Sequence, residues 1–292
     1  MQRNNIPVGG VIGGALRPSL SFGNFLIIFV PMLLLLITLL QITPKILIHI
    51  AEKLPELETG DISFAPFVLD LIKKVFIIAA VFILFWLFSV YQMGVLVHNI
   101  GNKLVGKPKP YSQSLLKGLS RYPSLFAAML LISILATLVA SIPYIGWLLT
   151  LAVACIFWVT YQGITLDELG FADGLKRSYQ YLRKHTFHYI SIFIITLIIA
   201  ITIGAISLIP MGIAIIPKIL TIATTLEEAS PAEALHMLAG VLTGPTIYVA
   251  SIITCAILTL GTLYTTYGIP TKLYLEIRRT EQEEESQQDT QK

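Results

Sequence analysis

Residues 75–97 read VFIIAAVFILFWLFSVYQMGVLV, 23 positions without one Asp, Glu, Lys, Arg or His. A hydrocarbon core about 30 Å thick is crossed by roughly 20 apolar residues in a helix. A helix satisfies its own backbone hydrogen bonds, which lipid cannot do. The stretch therefore reads as a transmembrane helix. Five further runs, at 25–42, 124–142, 145–164, 189–209 and 246–267, are equally free of those five residue types. Composition agrees: 55% of the 292 residues are apolar and 13% are charged, against about 25% charged in ordinary soluble domains. Short strands of alternating polarity are missing from the sequence, which argues against a β-barrel. The fold class is all-α, an integral membrane helical bundle of about six transmembrane helices. The division is a lead-in over 1–24, a six-span membrane domain over 25–279 and a disordered polar tail over 280–292.

The net charge of +3 is too small to argue for a nucleic-acid partner. Its distribution says more. Fifteen of the 20 Lys and Arg fall before span one or after spans two, four and six. Lys45, Lys53, Lys73, Lys74 and Lys218 fall on the other side. The positive-inside rule then puts both termini in the cytoplasm of a prokaryotic cell. About twenty-four mixed residues precede span one with no cleavage site after it, so the first helix is expected to be retained. Cys155 and Cys255 sit within apolar runs and read as buried structural thiols.

The outer loops carry helix signals. Residues 43–74 hold Glu52, Glu56, Glu58, Asp61 and Asp70, with Ile46, Ile50 and Leu54 every fourth residue. Ala65-Pro66 reads as a helix start. Spans one and two are thus expected to project beyond the membrane as a helical hairpin. Ser230-Pro231-Ala232-Glu233 has the form of a capping box, predicting a helix over Pro231–Val241. The apolar stretch 211–224 contains Pro217 and Lys218 and reads as interfacial or re-entrant.

A pattern recurs three times, giving three pseudo-repeats. Each has a cationic amphipathic segment, an outward span and a returning span. The stripes are Ile12, Leu16, Leu20; Tyr111, Leu115, Leu119, Tyr122; and Phe171, Leu175, Tyr179, Leu182. Spacing of three and four makes an apolar face, and such helices are expected in the cytoplasmic headgroup layer. The returning spans end alike, in Tyr91-Gln92-Met93-Gly94, Tyr161-Gln162-Gly163 and Tyr267-Gly268. These ends read as an aromatic belt with packing glycines. The alternative is an intramembrane polar cluster of Gln92, Gln162, Tyr91, Tyr161 and Tyr267.

Gly174-Leu175-Lys176-Arg177-Ser178-Tyr179, followed by an aromatic-rich span, is similar to poorly characterised prokaryotic polytopic membrane proteins. Among these is the membrane-domain family found on some glycerophosphoryl diester phosphodiesterases. The likeness covers most of 10–279 in architecture and does not extend to the phosphodiesterase catalytic domain. It implies a helper or scaffold rather than a hydrolase.

Catalytic patterns are missing from the sequence: there is no GxxxxGK[ST], HExxH or GxSxG. His185 and His188 lack an assured third metal ligand, so no metal or cofactor is expected. His49, His98 and His236 read as isolated interface residues. Asp167, Glu168 and Asp173 read as a solvated mixed-charge surface. Spans without a carboxylate, His or Lys argue against proton or sodium coupling. The sequence offers no paired broken helices of the kind that build carriers. The expected function is non-catalytic: a lipid-interacting scaffold or accessory subunit for a membrane partner. Lys117, Arg121, Lys176, Arg177, Arg183 and Lys184 are the candidate contacts for anionic headgroups. The alternative is a transporter or permease component for a small or lipid-like substrate.

Overall fold

Backbone groups in lipid must pair within their own segment, and every long apolar run is mainly helical. The computed structural model describes residues 6–59, 64–223 and 229–290. Arg3, Asp61 and Lys292, part of the charge reading above, lie outside them. The helices are α1 Val8–Ser19, α2 Phe22–Glu58, α3 Phe64–Leu104, α4 Tyr111–Ala140, α5 Gly146–Ile156, α6 Thr160–Leu166, α7 Phe171–Lys184, α8 Thr186–Ala223, α9 Pro231–Val241 and α10 Pro245–Thr262. A π-helical turn, Leu263–Gly268, joins α10 to α11, Ile269–Thr290. Among the described residues there is no strand, and six helical stretches are long and apolar enough to cross a bilayer. The chain is a multi-pass membrane protein. The chain divides into two compact units.

Unit 1 comprises residues up to 27, 87–202 and those from 260 onward. Its packing rests on small residues spaced four apart. Ala15 and Ser19 of α1, Ser114 and Gly118 of α4, and Gly174 and Ser178 of α7 are all buried. Each pair docks on the end of a returning span. A Cβ on Gly94 of α3 would lie 2.9 Å from the Gly118 Cα, so two backbones touch there. A Cβ on Gly174 would lie 2.6 Å from Ile164 of α6, and one on Gly268 would lie 2.1 Å from Ser19 Oγ. Tyr264 donates to the Ile12 carbonyl at 2.9 Å, fastening α1 to the π-helical turn. Small residues let helices approach closely where apolar side chains gain nothing over lipid. The predicted stripes are split: Leu16, Leu20, Leu119, Phe171 and Tyr179 are exposed, while Tyr122 and Leu182 pack inward.

Unit 2 comprises 28–86 and 203–259. The α2–α3 hairpin is clasped by His49–Asp70 at 2.7 Å, and Asp70 also holds Lys74 at 2.8 Å. With 37 and 41 residues, α2 and α3 are each about twice the length that crosses the hydrocarbon. The Ser230–Glu233 capping box is present, and α9 has its predicted bounds. Thr254 donates to the Ser207 carbonyl at 2.9 Å, tying α10 to α8.

Several expectations are corrected. Residues 211–223 do not form a re-entrant loop: they continue α8 as helix past Pro210 and Pro217. Lys218 is accommodated because its ammonium meets the Val241 and Thr243 carbonyls, at 3.2 and 2.8 Å. These lie at the α9 C-terminus, where a cation complements the helix dipole. The second amphipathic segment is not a separate helix: it forms the first turns of α4, continuous through Pro123. The tail is not disordered from 280: α11 runs to Thr290. Its Glu, Gln and Arg are good helix formers, and Arg279 pairs with Glu276 at 2.8 Å and Glu283 at 3.6 Å along the helix.

Candidate functional site: a cavity at two interrupted spans

Span four is broken. α5 stops at Ile156 and α6 resumes at Thr160, with Phe157, Trp158 and Val159 in turns. Ser178 bridges the gap. Its hydroxyl donates to the Ile156 carbonyl at 2.7 Å and accepts from the Val159 N–H at 3.4 Å. Val159, Thr160 and Ser178 have no exposure to solvent or lipid. Span six is irregular too, since its π-helical turn carries one residue more per turn than an α-helix. Such turns occur frequently at functional sites. Non-helical backbone at membrane depth is tolerated where it is buried in protein or lines a cavity. Span four is thus a broken helix and span six a continuous but irregular one, and both irregularities line one cavity.

That cavity measures about 340 Å³. Trp158, Tyr161 and Gln162 come from the break in span four, and Thr265, Thr266 and Tyr267 from the π-helical turn. The remaining wall, including Met93, Val97, Ile132, Phe193 and Leu197, is apolar apart from Thr196, and no lining residue is charged. The ends of all three returning spans thus meet at this space. Gln162 is only 2% exposed, and its carboxamide oxygen has no hydrogen-bond partner. Thr196 and Thr265 are occupied, donating to their own helix carbonyls at 2.7 and 2.8 Å.

The expected polar cluster is half assembled. Gln162, Tyr161 and Tyr267 line the cavity, while Gln92 and Tyr91 do not. Gln92 donates to the Ile27 carbonyl of α2. Tyr91 packs its ring on Phe88 at 5.8 Å. Sequence reasoning missed a second buried polar chain nearby. Asn99 donates to the Asn24 side chain at 2.6 Å, and Asn24 donates to the Ser19 carbonyl at 3.1 Å. His98, read as an isolated interface residue, is buried and bonds to Ser114 Oγ at 2.9 Å. Asparagines at span ends were the available signal.

The six cations proposed for headgroups divide into two sets. Lys117 and Arg121 both bind the Glu168 side chain, and Arg121 also donates to the Glu168 carbonyl at 2.9 Å. They hold the Glu168 carboxyl below its ordinary range and its backbone in the left-handed region, at φ 60°. Arg177 lies 3.6 Å from Glu281 and 5.1 Å from the centre of the Tyr181 ring. Lys184 binds Glu284 at 2.7 Å. Asp167 is not a solvated surface group: Arg278 lies 2.9 Å away and Tyr274 donates to it. Lys176 and Arg183 have no carboxylate partner among the described residues. They flank exposed Tyr179 at spacings of three and four.

His185, at the C-terminal end of α7, has a buried Nε2 without a partner. Burial first, and the Lys184 charge second, push its pKa below the ordinary value. Among the described residues no three of His, Cys, Asp and Glu are grouped as metal ligands would be. No family model matches the chain, and no curated protein or solved structure is similar to it.

Proposed function

We propose that this is a non-catalytic, lipid-interacting protein of a prokaryotic cytoplasmic membrane, with both termini inside, serving as a scaffold or accessory subunit for a membrane partner. One observation carries the reading: Lys176, Tyr179 and Arg183 form an exposed stripe on α7, and its two cations have no carboxylate partner among the described residues. An aromatic ring between two cations suits the headgroup layer, where apolar burial and phosphate attraction act together. The other four cations serve the protein's own carboxylates, so the lipid contact narrows to this stripe.

The pseudo-repeat belongs to the same proposal. The small pair of α4 docks on the end of span two, that of α7 on span four, and that of α1 on span six. Each returning span holds the next repeat's lead helix, and the last holds the first, so the order closes on itself. The similarity to the phosphodiesterase membrane-domain family would fit such a scaffold. A permease component is the second reading, favoured by the broken span and the irregular one around an uncharged cavity.

The test is retention of anionic lipid, read by native mass spectrometry. Lys176→Gln with Arg183→Gln is expected to lower anionic-lipid preference by about 2 kcal/mol, at roughly 1 kcal/mol per cation. Lys117→Gln with Arg121→Gln is expected to change it far less. Equal retention in the wild type and the Lys176/Arg183 variant, with insertion intact, would leave these charges as topology signals.

A further inference from the structure

We propose that the cavity between the returning spans binds a neutral lipid by its hydroxyl group, and that Gln162 is the residue that recognises it. Three observations meet here. The space is walled mainly by apolar and aromatic side chains, with three threonines and Gln162 but no Lys, Arg, His, Asp or Glu among them. The Gln162 carboxamide oxygen, on a side chain 2% exposed, has no partner in the protein. Both backbone irregularities, at 157–159 and Leu263–Gly268, border the space.

The chemistry narrows the ligand. A charged headgroup in this cavity would lose its hydration with no opposite charge to receive it. A plain hydrocarbon would leave the buried carboxamide as unsatisfied as before. A hydroxyl does neither. It donates to the carboxamide oxygen once the Gln162 amide turns that buried atom toward the cavity, which an ether, having no donor, does not do. The volume of about 340 Å³ is at the lower end of the roughly 300–1,000 Å³ typical of ligand pockets. It takes part of one chain, with the rest of the lipid leaving past exposed Thr266. Monoacylglycerols, diacylglycerols and long-chain alcohols share this chemistry.

The experiment uses the full chain in detergent, labelled with a dodecanoyl monoacylglycerol carrying a diazirine in its chain. Crosslinks are expected in the peptides holding Ala154–Gln162 and Phe193–Ala200. Unlabelled monododecanoylglycerol is expected to compete about five- to tenfold better than its dimethyl ether, the discrimination one net hydrogen bond provides. Dodecanol, as a third competitor, separates a glyceride site from a simple alcohol site. Gln162→Leu is expected to bring the hydroxyl and ether competitors level while melting no lower than wild type, because it removes a buried unpaired polar group. The Lys176/Arg183 variant is expected to label as wild type does, so this site and the headgroup stripe succeed or fail separately. Equal competition by the alcohol and the ether in wild type would overturn the proposal. So would a hydroxyl preference that survives in Gln162→Leu.

Discussion

α8 contains Pro210 and Pro217 and stays helical for 38 residues, whereas span four has neither proline nor glycine at 157–159 and breaks there. The difference teaches that surroundings, not breaker residues, decide continuity in this protein. Along α8, Ile209, Ile213, Ile216 and Leu220 are exposed. A gap there would leave backbone groups with no partner from the surrounding protein, a loss of several kcal/mol for any group that faces lipid. At the break in span four, protein encloses the backbone, and a hydroxyl from another helix supplies the missing partner.

If that account is right, Ser178→Ala has the largest effect. It leaves the Ile156 carbonyl and the Val159 N–H unpartnered in a buried site, and should cost about 1–3 kcal/mol. Thermal unfolding in detergent reads this directly, and an unchanged Tm would mean that Ser178 does not hold the break. Pro217→Ala is the smaller converse. It returns a backbone donor to a helix that is already continuous, with a gain on the order of 1 kcal/mol, below the roughly 3 kcal/mol of an isolated helix. A loss of stability would show that α8 depends on its prolines. The smallest effect concerns the joint between α7 and α8. His185 has a folded pKa below its ordinary 6.5. The unfolded chain therefore binds more protons between those two values, and stability falls as pH falls through that window. Tm is expected to decline from pH 7.5 toward pH 5, and His185→Phe should flatten the decline. An equally steep decline in the variant would assign it to other groups.

Much of this architecture is legible in the residues. The run at 75–97 lies within α3, each of its five counterparts is helical over most of its length, and Ser230 with Glu233 fixes the start of α9. Leu16, Leu119 and Tyr179 are exposed residues of helices α1, α4 and α7. The docking face, however, is the small-residue pair beside each stripe, which a search for apolar periodicity passes over. The Gln162 cavity is half legible: the Tyr-Gln-Gly ending flagged the residue, but Gln92 has the same local sequence and a different fate. Only the fold brings the Ile27 carbonyl to Gln92 and an empty space to Gln162. The break is not legible, because its cause is a serine 19–22 residues further along the chain.

That separation has a bearing on biosynthesis. Chains grow at about 5–20 residues per second, so span four leaves the ribosome roughly one to four seconds before Ser178 does. During that interval nothing bridges Ile156 and Val159. Span four then has reason to enter the bilayer as an ordinary continuous helix, and to open only when α7 arrives. The cavity is on this view a late product of synthesis, and a chain truncated before Ser178 would be inserted without it.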